Sequence, residues 1–281
     1  MLLSTAKGKL ADLQSLLLLC LASTVVGQES TSTCSAVHII LARGRNEPYQ
    51  GQRQQLLVNA TCIALGSTSC DYEDIEYYNT FEAQYCDSLY EGITNGISQI
   101  TAYNKRCPEA KLVLSGFSQG AQVIGDILGG GGGIFVEGCK QTTTSKLKSS
   151  TDAAPGNKIV AALMWGDKRH VASQPYNVLS GLHKDGQFPR SGSQLLALNR
   201  FSSILRSYCA ITDPNCALGH NVTDHLNYFN NYANDAAEWI RQMVRSADLP
   251  KTTTSSATSS PIASADTSTT SPAATSTSTQ R

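Results

Sequence analysis

Ser118 stands at the centre of Gly116-Phe117-Ser118-Gln119-Gly120, directly after the apolar run Leu112-Val113-Leu114-Ser115 and ahead of a helix-period segment, Gln119 to Leu128. A strand-to-helix turn of this G-x-S-x-G kind lifts a serine hydroxyl clear of the sheet and needs glycines where a Cβ would clash. The helix that begins at Gln119 then turns its amide hydrogens and positive dipole end towards any oxyanion formed there. The chemistry indicated is nucleophilic acyl transfer. A serine of this sort needs a base, and the base needs an acceptor to fix its tautomer. Four of the five histidines lie downstream: His170, His183, His220 and His225. Only His220 and His225 follow an acid bracketed by cysteines, Asp213 in Cys209-Ala210-Ile211-Thr212-Asp213-Pro214-Asn215-Cys216. If Cys209 pairs with Cys216, the small loop holds the carboxylate in place, although an ordinary Asp-Pro-Asn turn would also account for the aspartate.

Short apolar runs alternating with helix-period segments supply the frame for these residues. Val37 to Ala42, Ile75 to Tyr78, Leu112 to Ser115, Ile159 to Trp165 and Ser203 to Tyr208 read as strands. Gln52 to Leu65, Ile93 to Lys105, Gln119 to Leu128 and Asp224 to Val244 read as helices. Continuous apolar strands separated by helices predict an α/β fold, a mainly parallel central sheet covered on both faces as a three-layer α/β/α sandwich. The five glycines from Gly129 to Gly133 end a helix instead of opening one and lack the Lys-Ser/Thr of a phosphate loop, so they read as a flexible helix exit.

Lys plus Arg equals Asp plus Glu at 22 each, so no broad basic surface exists to attract nucleic acid or anionic lipid. With 41% hydrophobic and 16% charged residues, the 281-residue chain suits one large globular domain, expected over 28–250 and acting as a monomer. Lys7 and Lys9 precede an apolar run from Leu16 to Val26 that is too short to span a bilayer, so 1–27 reads as a signal peptide and the protein as secreted. Residues 251–281 are almost entirely Ser, Thr, Ala and Pro and read as a disordered tail. Of nine cysteines, Cys20 lies in the signal, and the even remainder fits a disulfide set in an oxidising compartment. No CxxC pair occurs, and neither metal nor organic cofactor is implied. Asn59 and Asn221 begin N-x-T sequons and are candidate glycosylation sites.

Five ordered features together resemble the cutinase family, which also contains acetylxylan esterases and is classed as carbohydrate esterase family five. They are Cys34 followed by Ala42-Arg43-Gly44, Cys107-Pro108 before the strand, Gly-Phe-Ser-Gln-Gly, Cys-x3-Asp-x2-Cys, and His225-Leu226-Asn227-Tyr228. The resemblance runs from about Cys34 to Val244 and implies Ser118 as nucleophile, Asp213 as acid and His225 as base, with His220 the runner-up base. It implies an oxyanion hole from the backbone amides of Gln119 and Arg45, although Arg45 stands where the family usually carries Ser or Thr. It also implies Cys34–Cys107 and Cys209–Cys216 bridges, leaving Cys62 with Cys70 and Cys86 with Cys139 as one of three pairings of the other four. The expected reaction is hydrolysis of cutin or acetylated xylan in plant cuticle or cell wall. The alternative is a catalytically weak secreted binding or elicitor protein on the same fold, favoured by Arg45 and by a glycan at Asn221.

Overall fold

The computed structural model describes residues 34–147 and 152–249. The expected signal peptide and the Ser/Thr-rich tail lie outside the described residues. The order is β1 (Val37–Ala42), α1 (Gln55–Leu65), β2 (Cys70–Asp74), α2 (Tyr85–Arg106), β3 (Lys111–Phe117), α3 (Gln119–Gly129), β4 (Gly131–Ile134) and β5 (Lys140–Thr144). There follow β6 (Ile159–Trp165), β7 (Asn177–Val178), α4 (Gly192–Asn199), β8 (Leu205–Tyr208), α5 (Val222–Leu226) and α6 (Tyr228–Asp248).

Six strands form one sheet in the order β2-β1-β3-β6-β8-β7, and every ladder in it is parallel. The period of two along each strand sends Ile40, Leu112, Leu114, Ala162 and Met164 into a core beneath α2, α3 and α4. It sends Ile39, Leu41, Val113, Leu163 and Trp165 into a second core beneath α1 and α6. Burial of both faces is why these strands are apolar without alternation, and it gives the three-layer sandwich the sequence predicts. The strand order reverses between β1 and β3, so a crevice opens beyond their carboxyl ends, the usual place for a ligand in an open α/β sheet. Ser118 stands at that point.

The structure departs from the expected elements in several places: α2 begins at Tyr85, ahead of the expected Ile93, and β7 and α4 have no expected counterpart. The second strand is Cys70–Asp74, not Ile75 to Tyr78. Its polar sequence fits an edge position, while Ile75 and Tyr77 are buried against α2 as extended chain beyond the ladder. The glycine run does not leave the helix as a loose exit, because Gly131–Ile134 pairs antiparallel with Lys140–Thr144 as a separate hairpin. The fifth strand begins at Leu205, after a single 3₁₀ turn over Ser202–Ile204. The closing helix is two helices, α5 and α6, broken at Asn227 with φ −107° and ψ 12°.

Candidate active site

Ser118 occupies the turn between β3 and α3 with φ 55° and ψ −114°, a conformation that L-residues rarely adopt. The turn is held by the Ser118 amide donating to the Trp165 carbonyl at 2.8 Å. It also needs its flanking glycines, since a Cβ on Gly116 would lie 2.2 Å from the Gly120 carbonyl oxygen. Ser118 is partly exposed, whereas the residues around it are buried.

Three side chains far apart in sequence meet here. The Ser118 Oγ is 3.0 Å from His225 Nε2, and His225 Nδ1 is 2.8 Å from Asp213 Oδ2. His225 comes from the short helix α5, whose N-cap Asn221 accepts the Thr223 amide at 3.0 Å. The residue is 94% buried, and its ring lies 4.9 Å from that of Phe117. A Cβ on Gly166, where φ is +61°, would lie 2.6 Å from His225 Nδ1, so the end of β6 must be bare for the imidazole to reach Asp213. His220 is exposed, and of the two histidines after Asp213 it is His225 that reaches the serine. His170 and His183 pair elsewhere, with Ser207 and Ser173.

Asp213 is fully buried, and both of its oxygens are occupied. Oδ2 accepts His225 Nδ1 and the Tyr228 hydroxyl at 2.7 Å, and Oδ1 accepts the amides of Asn215 at 2.6 Å and Cys216 at 3.4 Å. Burial pushes its carboxyl upward, but the hydrogen bonds and charge of His225, with those of Tyr228 and Asn215, outweigh it and hold the group below the usual range. The Tyr228 hydroxyl also accepts the Ala210 amide at 2.9 Å, tying the Asp213 loop to the start of α6. The Cys209–Cys216 disulfide closes that loop. The other bridges are Cys34–Cys107, Cys62–Cys70 and Cys86–Cys139.

Gln119 opens α3, and its side chain is fixed by Nε2 donating to Ser88 Oγ at 3.0 Å. Its backbone amide belongs to the first helical turn, where amides have no acceptor within the helix. Arg45 follows β1 in a braced loop: Gly44 N donates to Glu47 Oε2 at 2.8 Å, and Asn79 Nδ2 donates to the Gly44 carbonyl at 2.5 Å. The Arg45 guanidinium leans over the rings of Phe81 and Tyr85, with Nη2 donating to the Phe81 carbonyl at 3.1 Å. Both sequon asparagines, Asn59 and Asn221, are exposed.

Three contributors to the site escape motif reasoning. Asn215 sets its Nδ2 2.8 Å from His225 Nε2, and its Oδ1 accepts Lys168 Nζ at 2.7 Å. The Tyr228 bond to Asp213 lies inside a recognised motif, but nothing in the spacing says that the hydroxyl reaches the acid. Lys168 carries no sequence signal.

A constellation of hydroxyl, imidazole and buried carboxylate beside free helix N-terminal amides can attack a carbonyl and stabilise the resulting oxyanion. The sequence profile described as Cutinase matches residues 33–244, so the chain belongs to the cutinase family and is a carboxylic ester hydrolase. It is similar to Cutinase 11 of Verticillium dahliae, 29% identical over 82% of this chain and 69% of that protein. It is also similar to Acetylxylan esterase 2 of Talaromyces purpureogenus, 27% identical over 74% of this chain and 87% of that one. The solved catalytic core domain of acetyl xylan esterase from Trichoderma reesei superposes with a TM-score of 0.65 at 27% identity, covering 75% of this chain and all of that one.

Proposed function

We propose that this protein is secreted and hydrolyses carboxylic esters of plant cell-wall polymers, cutin or acetylated xylan, through an acyl-enzyme on Ser118. His225 takes the hydroxyl proton as Ser118 attacks the ester carbonyl, and Asp213 stabilises the imidazolium. His225 then gives the proton to the leaving alcohol, and water, activated by the same imidazole, releases the acid. The backbone amides of Gln119 and Arg45 receive the oxyanion. The Arg45 side chain is turned to the Phe81 carbonyl, so it is the amide of this residue that serves the oxyanion.

The single observation that carries this reading is the unbroken run from Ser118 Oγ to His225 at 3.0 Å and from His225 to Asp213 at 2.8 Å. Covalent labelling by an organophosphate tests it. The wild type is expected to be labelled and Ser118→Ala not, while an unlabelled but folded wild type would favour the binding-protein alternative. Rates on para-nitrophenyl butyrate, on longer-chain esters and on acetylated xylan divide the two substrates. Rates that peak on acetylated xylan would assign the xylan side, supported by the full coverage of the acetyl xylan esterase core. Rates that rise with acyl length would assign the cutin side, supported by the likeness to Cutinase 11.

A further inference from the structure

The loops on either side of the serine strand each carry a cation without an acid. β3 lies between β1 and β6 in the sheet, and the chain leaves β1 through Arg45 and β6 through Lys168. The ion pairs nearby are Arg43 with Asp74, Arg53 with Glu47, His225 with Asp213, Arg190 with Asp167 and Asp126, and Arg169 with Asp126, and among the described residues neither Arg45 nor Lys168 joins one. Lys168 Nζ donates to two neutral amide oxygens, Asn215 Oδ1 at 2.7 Å and Gln187 Oε1 at 3.0 Å, which leaves its third hydrogen to spare. Through Asn215 it stands two hydrogen bonds from the imidazole of His225. The Arg45 guanidinium is turned to a carbonyl and two rings, and its Nε is buried without an acceptor.

Asp213 and Asp167 are the acids whose charge Lys168 feels, but both Asp213 oxygens already accept hydrogen bonds from other groups, and Asp167 is held by Arg190 and by the Arg169 amide. Burial, helped by the charge of Arg45, brings the Lys168 ammonium down to about 8 despite Asp213 and Asp167. An ammonium in that condition is short of counter-charge and gains most from a carboxylate brought to it.

We propose that Arg45 and Lys168 form an anion subsite beside Ser118 that selects esters bearing a carboxylate close to the scissile bond. The inference rests on the esterase reading above. Two sources share that chemistry: an acyl part with a second carboxyl group, and an alcohol part that is itself an acid, such as a hydroxy-acid chain end or a uronate.

Two matched pairs of substrates test it and separate the sources. Mono-para-nitrophenyl adipate against para-nitrophenyl hexanoate reports a carboxylate in the acyl part, and meta-acetoxybenzoate against phenyl acetate reports one in the alcohol part. In at least one pair kcat/KM for the anionic ester is expected to exceed that for the neutral one by about tenfold at low salt, shrinking towards unity in strong salt. Lys168→Met is expected to remove most of that ratio, whatever it does to the neutral rate, and Lys168→Arg to restore it. Equal or lower rates on the anionic member of both pairs would overturn the subsite, as would a preference that survives in Lys168→Met and in Lys168→Met/Arg45→Met. Absence of turnover on the neutral esters would instead sink the esterase reading, and the subsite with it.

Discussion

Asp126 and Asp213 are both wholly buried aspartates hydrogen-bonded to a basic side chain, yet they sit in constellations of opposite character. Asp126 meets Arg169 Nη1 at 2.8 Å and Arg190 Nη2 at 3.2 Å, and Arg190 Nη1 meets Asp167 Oδ2 at 2.5 Å. All four members are at least 96% buried, and the guanidiniums cannot give up a proton at ordinary pH. Asp213 instead faces the imidazole of His225, which has a second ring nitrogen, and that nitrogen faces the partly exposed hydroxyl of Ser118. The first arrangement locks chain segments together; the second can move a proton. What separates the two here is not burial or the acid but a partner that can both give and accept a proton and an opening beside it.

Substitutions that exchange the two characters probe this difference. The largest effect is expected from Asp213→Asn, which keeps the shape but offers the wrong hydrogen-bond pattern to His225: kcat on para-nitrophenyl butyrate should fall by about 10⁴-fold with the fold intact by circular dichroism. Asp126→Ala should do the reverse, lowering unfolding free energy in urea by about 3–5 kcal/mol because buried arginines lose their acid, while the folded fraction keeps its kcat. A collapse of kcat in the folded Asp126 variant would erase the distinction.

Two short disulfide loops sharpen it further. Replacing both members of Cys209–Cys216 or of Cys62–Cys70 by serine should cost a similar ~2–3 kcal/mol, since the loops are of nearly equal length. Only the former should also lower kcat, because only that loop carries Asp213. Tyr228→Phe removes one hydrogen bond to the Asp213 carboxylate and should cost about 1–2 kcal/mol in stability, with a roughly tenfold drop in kcat.

Acid titration gives the smallest signal. The Asp213 carboxyl is held below its ordinary value in the folded protein, so its contribution to stability is present above the unfolded-state range and is lost as pH falls through the folded value. Urea midpoints followed downward from about pH 5 should show a decline that is shallower in Asp213→Asn; identical slopes would contradict the assignment.

Much of this was legible in the residues because the central strands are buried on both faces. Val37–Ala42, Lys111–Phe117 and Ile159–Trp165 leave little choice but a covered parallel sheet, and the glycines around Ser118 announce a tight turn. The edge strand Cys70–Asp74 was hidden because an edge needs no apolar run. The break at Asn227 was hidden because the pattern from Val222 to Asp248 shows neither proline nor glycine. At the site, Ser118, Asp213 and His225 could be singled out along the chain as the residues that meet, but Asn215 and Lys168 could not. They meet each other across 47 positions of sequence, a contact that no local spacing encodes.

The stretch Asp167-Lys168-Arg169 alternates in the direction it faces. Its outer members are bolted into the arginine cluster, and its middle member looks out at Asn215. The flanks therefore carry the mechanical load, and the centre is released from it. A substitution at position 168 leaves both ion pairs of its neighbours in place, so the scaffold and the charge beside the site can be altered independently.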